Sequence, residues 1–145
     1  MRKLSLTTLS LLFAFSLMQK AQAQESLYKR IGGYDAMAAV TDDFIGRLAT
    51  DKDISRFFIG QSDDSKARIR IHIINMICMA TDGPCNYTGR DMKTSHKGLG
   101  ITEADWNTMA GHFVATLNKF KVPKKEQDEL LAIVGTTKKD IVEKN

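Results

Sequence analysis

The sequence predicts an all-α fold, and three observations carry that reading. Apolar residues recur at helical spacing along most of the chain, and no run alternates convincingly with period two. The breaks in the pattern are few: Gly32-Gly33, Asp82-Gly83-Pro84, Gly89, Gly98, Gly100 and Pro123. The sequence shows no internal repeat, low-complexity tract or long linker, so a single domain is expected.

The first 23 residues read as a secretory signal. Arg2 and Lys3 open it, an apolar run follows from Leu4 to Met18, and Ala21-Gln22-Ala23 places small residues where a signal peptidase reads them. Residues 24–145 then form the folded domain, which is expected to be exported and periplasmic. Taking Arg2, Lys3 and Lys20 from the 21 bases leaves 18 against 17 acids, so the net charge of +4 largely reflects the leader. A near-neutral domain lacks the basic surface of a nucleic-acid binder. The apolar run is short for a membrane helix, which needs about 20 residues, so no stable membrane insertion is expected.

Ala36, Val40, Phe44 and Leu48 stand four apart and make one stripe on a helix of about 15 residues. A short turn of helix is expected over Asp53 to Phe58. Ser65 to Thr81 reads as a longer helix, stopped by Asp82-Gly83-Pro84 because proline cannot continue it. Asp91 to Lys97 reads as a short helix ended by Gly98. Thr102-Glu-Ala-Asp105 has the spacing of a capping box, so a helix should start near Glu103 and run to about Lys121. Pro123 suits the first turn of a last helix, whose apolar face is Leu130, Leu131, Val134 and Ile141. The loop-rich middle between Thr81 and Ile101 is where chemistry is expected, because irregular backbone held by rigid helices tends to carry function.

Three histidines are candidates. His72 lies on the long helix among Ile69, Ile71, Ile73, Ile74 and Met76. A buried imidazole in such company either hydrogen-bonds a neighbour or ligates something. His96 ends the short helix, and His112 reads as structural. Cys78 and Cys85 are too few for a disulfide scaffold. They are either one bridge closing a short loop or two separate thiols. Their six-residue gap does not match the close ligand pairs of a zinc site. No Cys-x-x-Cys-His run, catalytic Ser/His/Asp arrangement or phosphate-binding glycine loop is present.

Leu27-Tyr-Lys-Arg-Ile-Gly-Gly33, Asp43-Phe44, Phe57-Phe58, Asp82-Gly83, Tyr87-Thr-Gly89, Met92-Lys-Thr-Ser-His96-Lys-Gly98 and Ile101-Thr together resemble the group I truncated haemoglobins, from Ser26 to about Val142. The resemblance implies a short globin, two helices packed over two, enclosing a b-type haem. It implies that His96 is the proximal histidine on the iron and that Phe58 packs against the haem. Met92, Ile101 and Trp106 would line its proximal or edge side, and Lys93 would reach a propionate. On the distal side the sequence departs from the family. The tyrosine expected after Phe44 is Ile45, and the two pocket-facing glutamines of the long helix align with Ile69 and Ile73. A donor to bound dioxygen contributes roughly 1–3 kcal/mol in a low-dielectric pocket, and all three usual donors are replaced here.

His72 falls ten residues before Asp82, where cyanobacterial members of the group carry a second iron-binding histidine, and it shares a helical face with Ile69, Ile73 and Met76. Distal ligation by His72 is therefore expected, with the thioethers of Met76 and Met79 as alternatives. The leading reading is a haem protein that binds oxygen, nitric oxide or carbon monoxide, or that takes part in redox chemistry with an electron donor. Nitric oxide dioxygenation or nitrite reduction at the same iron is the enzymatic alternative. A third option is a helical binding module without haem, using Met76, Met79 and Met92 as adaptable contacts.

Overall fold

The computed structural model describes residues 25–144. Residues 1–23, which the sequence reads as a secretory signal, lie outside the described residues. Seven α-helices and one 3₁₀ turn follow in order: α1 (Leu27–Arg30), α2 (Gly33–Thr50), the 3₁₀ turn (Ser55–Phe58), α3 (Asp63–Ala80), α4 (Met92–His96), α5 (Glu103–Lys119), α6 (Lys124–Gly135) and α7 (Lys138–Ile141). The all-α reading holds.

Local chemistry explains most boundaries. Ser62 caps α3 by accepting from the Ser65 N–H. Thr102 and Asp105 form the reciprocal capping box at the start of α5, as the spacing predicts. Pro123 stands at the N-cap of α6. Two differences are instructive. The single last helix expected after Pro123 is broken into α6 and α7, because the chain turns at Thr136-Thr137, where both hydroxyls donate to carbonyls of the preceding turn. A one-turn α1 also precedes Gly32-Gly33, capped by the Ser26 side chain; four residues are too few to show a periodic stripe.

One core joins these elements. Leu27 of α1, Met37, Phe44 and Leu48 of α2, Ile54 just before the 3₁₀ turn, Ile77 and Cys78 of α3, Phe113 and Leu117 of α5, and Leu130 of α6 form a single buried cluster. The principal packing is α2 against α3 and α2 against α5. Phe44 and Phe113 meet edge-on across the second interface, with centroids 5.3 Å apart. Asp43 closes the same interface, accepting from Arg47 Nε (2.7 Å), Thr116 Oγ1 (2.9 Å) and Lys119 Nζ. Lys119 first, then Arg47, holds its carboxyl well below the usual carboxylate range. Among the described residues, no helix is long and apolar enough to cross a membrane.

Cys78 and Cys85 are bonded to each other, with Cα atoms 5.7 Å apart. The bond ties the end of α3 to the start of the loop-rich middle. Gly83 lies inside this loop because a Cβ there would come within 2.7 Å of the Cys78 carbonyl and sulfur. The closed loop is short, so reduction is expected to lower the unfolding free energy by about 2–3 kcal/mol on the chain-entropy model. Denaturant titration with and without a thiol reductant measures this, and coincident curves would contradict it.

His112 proves structural, as its sequence context indicates. Its Nε2 donates to Asp51 Oδ2 at 2.8 Å, while Asp51 Oδ1 accepts from the N–H groups of Asp53 (2.8 Å) and Ile54 (3.0 Å). The His112 ring, followed by the two N–H groups, pushes the Asp51 carboxyl down to about 2 from an ordinary 3.8. A depressed folded-state pKa contributes stability that is complete above the ordinary value and is lost as pH falls toward about 2. The melting-temperature gap between wild type and Asp51→Asn is therefore expected to close over that acid window. A gap that stays constant with pH would rule the linkage out.

Candidate functional site

The five residues of α4 make little more than one turn, too short for a helix to persist alone. Its first turn is built by side chains. Asp91 accepts from the Thr94 N–H (2.8 Å) and the Thr94 hydroxyl (2.7 Å), and the Thr94 N–H is the main reason its carboxyl stays below its ordinary range. The Ser95 hydroxyl donates to the Asp91 carbonyl at 2.7 Å.

His96 stands at the other end, half-buried, with Nδ1 2.8 Å from the Met92 carbonyl oxygen. A carbonyl only accepts, so Nδ1 is the donor, and Nε2 takes no part in this contact. A ring oriented through Nδ1–H by a backbone carbonyl is the usual state of a metal-ligating histidine. The spacing of four residues along one helical face gives Met92 this second role, to which sequence reasoning had assigned only a place against the porphyrin.

His72 is held differently. It is half-buried on α3, and its buried Nδ1 has no hydrogen-bond partner. Its ring packs edge-on against Tyr87, with centroids 5.8 Å apart. The Tyr87 hydroxyl donates to the Arg90 carbonyl at 2.6 Å and is spent there. Leaving a buried polar atom unpaired costs about 1–3 kcal/mol. The imidazole is thus retained among isoleucines without the hydrogen bond that a buried ring normally finds. Tyr87 had been given no role from sequence. The signal was its place two residues before Gly89, where a Cβ would strike the Tyr87 ring, so the glycine lets the ring fold back.

The remaining predicted residues are distributed as follows. Ile69, Ile73 and Met76 are half-buried on α3 with His72, and Ile45 is half-buried on α2. Met79 is 46% exposed, which leaves Met76 as the thioether on the face of His72. Phe58 ends the 3₁₀ turn and, like Ile73, packs against the main core. Ile101 and Trp106 are buried outside that core cluster, Met92 is half-buried, and Lys93 is exposed. α3 packs on α2 and α4 packs on α7, with little direct contact between α3 and α4. The helices bearing His72 and His96 are thus not sealed against each other. The disulfide takes both sulfurs out of any zinc set. A cavity of about 20 Å³ lined by Met37, Val40, Thr41, Ile77, Phe113 and Leu117 touches none of the predicted site residues.

Comparison with known proteins places the fold in a family. Residues 26–143 match the family model described as bacterial-like globin. A group 1 truncated haemoglobin of Mycolicibacterium paratuberculosis is 34% identical over 110 residues, covering 76% of this chain and 79% of the relative. One from Synechocystis sp. is 30% identical over 123 residues, covering 81% and 97%. Among solved structures, the 2/2 haemoglobin of Synechococcus sp. PCC 7002, crystallised in the cyanomet state with covalently attached haem, superposes with a TM-score of 0.74 at 27% identity, covering 81% of this chain and 98% of that one. The ferric truncated haemoglobin of Tetrahymena pyriformis gives the same TM-score at 24% identity, with the same coverage, and supports the fold. The chain therefore belongs to the bacterial-like globin family, among the group 1 truncated haemoglobins, whose cofactor is haem iron.

Proposed function

We propose that this chain is an exported, b-type haem protein that reversibly binds diatomic gases or passes electrons at an iron held by His96 and, when no other ligand is present, by His72. The observation that carries the reading is the contact between His96 Nδ1 and the Met92 carbonyl, which leaves Nε2 uncommitted. When bound, haem would supply an iron that can change oxidation state and bind a small ligand.

The residues present fit that group. His96 offers an oriented lone pair, and His72 offers a ring whose Nδ1 is tied to nothing. Ile101, Trp106, Met92 and Phe58 supply apolar surface for a porphyrin, and exposed Lys93 is available to a propionate. Ile45, Ile69 and Ile73 exclude water and donate no hydrogen bond, and the Tyr87 hydroxyl does not make good the loss. Oxygen, which gains most from a donor, is disfavoured by roughly 1–3 kcal/mol relative to a pocket that has one. Carbon monoxide and nitric oxide, which need less help from a donor, are favoured accordingly. Two nitrogen ligands that serve both oxidation states suit electron transfer, which implies an electron donor as partner. A signal-like leader and a disulfide of the kind that oxidising compartments preserve support a periplasmic setting.

Absorption spectra in both oxidation states test the reading. Wild type is expected to be low-spin when ferrous, His72→Ala high-spin, and His96→Ala defective in retaining haem. A high-spin ferrous wild type would eliminate His72 as a ligand, and a His96→Ala spectrum identical to wild type would eliminate His96. A second measurement separates ligation from packing. His72→Leu removes the unpaired nitrogen and is expected to stabilise the haem-free protein by about 1–3 kcal/mol in denaturant titrations; destabilisation would mean that the imidazole is a packing residue.

A further inference from the structure

The C-terminal segment after α7 crosses the loop that leaves α4. Glu143 lies on this segment, and its two carboxylate oxygens divide between two backbone groups: Oε1 accepts from the Gly98 N–H and Oε2 from the Gly100 N–H, each at 2.6 Å. Both glycines adopt the left-handed region, with φ of 83° and 66°, a conformation that side chains resist. The backbone adds a second clasp. The N–H groups of Glu143 (2.9 Å) and Lys144 (3.2 Å) donate to the Ile101 carbonyl, and the Glu103 N–H donates to the Lys144 carbonyl (3.2 Å). α7 itself packs against α4. The Gly98 N–H first, then the Gly100 N–H, holds the Glu143 carboxyl below its ordinary range, so the acceptor is ionised near neutral pH.

These contacts bear on His96 because α4 cannot fix its own C-terminal end. Asp91 and Ser95 secure its first turn, whereas at its other end the His96 carbonyl accepts from the Leu99 N–H at a longer 3.2 Å. The loop that makes this tie is the one Glu143 grips on both sides of Leu99. We propose that Glu143 is a positioning residue for His96: by clasping Gly98 and Gly100 it fixes the end of α4 and hence the placement of the ring whose Nε2 takes the iron. The inference rests on the reading of His96 as the iron ligand.

The test uses the full haem-loaded chain as wild type, Glu143→Ala and Glu143→Gln. Charge-assisted hydrogen bonds are among the stronger ones, so amide exchange at Gly98 and Gly100 is expected to rise about tenfold or more in Glu143→Ala. Glu143→Gln keeps one acceptor oxygen and should fall between the two. The decisive readout is proton NMR of the ferric protein with cyanide added, in which paramagnetic shifts of the His96 ring report its orientation. Those shifts, and the midpoint potential, are expected to move in Glu143→Ala and to return part of the way in Glu143→Gln. Faster exchange with His96 shifts and potential at their wild-type values would reduce Glu143 to a plain anchor of the C-terminus and overturn the proposal. If Glu143→Ala does not fold, the same comparison with Glu143→Gln decides. A His96→Gly control whose spectrum matches wild type would overturn the ligand assignment itself, an outcome separate from the failure of the clasp.

Discussion

α2 is the wall that the other long helices share, and its double packing constrains everything else. It meets α3 on one side and α5 on another, so a shift of α2 would disturb both the helix that bears His72 and the one that follows His96 in the chain. Apolar contact alone leaves helices free to slide. Here Asp43 prevents sliding by accepting from Arg47 of its own helix and from Thr116 and Lys119 of α5. Asp105 plays a similar part at the start of α5: it caps the helix and pairs with Arg56 of the 3₁₀ turn. The scaffold is thereby rigid where α3 and α5 are rooted, and irregular between Thr81 and Ile101.

That irregular stretch is stiffened by short-range devices rather than by packing in the main core. The disulfide closes its first part, the fold-back of Tyr87 over Gly89 shapes the middle, and Asp91 with Ser95 fixes the approach to α4. A side chain on a one-turn helix needs such supports to hold one position, because so short a helix does not persist alone. The two histidines are held differently. His96 is oriented by a backbone carbonyl, whereas His72 rests against an aromatic edge with its Nδ1 unpaired. A ring held by packing alone moves more readily than one held by a hydrogen bond.

Much of the fold was legible in the residues. The stripe from Ala36 to Leu48, the capping box at Thr102 and Asp105, and the stop at Asp82-Gly83-Pro84 are local signals, and the helices obey them to within a few residues. The segment around His96 was readable as a short helix ended by Gly98, although the contact between its ring and the Met92 carbonyl was not. α1 and the break between α6 and α7 were not legible, because both involve single turns in which no periodic pattern has room to appear.

By itself, then, the sequence determined the helical class, the main helix boundaries and the family. Tertiary structure decided the rest: that Cys78 and Cys85 pair, that His112 serves Asp51, that the Nδ1 of His72 finds no partner, and that Glu143 reaches Gly98 and Gly100. The physical reason is separation along the chain. Caps and stripes join residues three or four apart and are written in local order. His112 lies 61 residues from Asp51 and Glu143 lies 45 from Gly98, and only the packed helices bring such partners within hydrogen-bond distance.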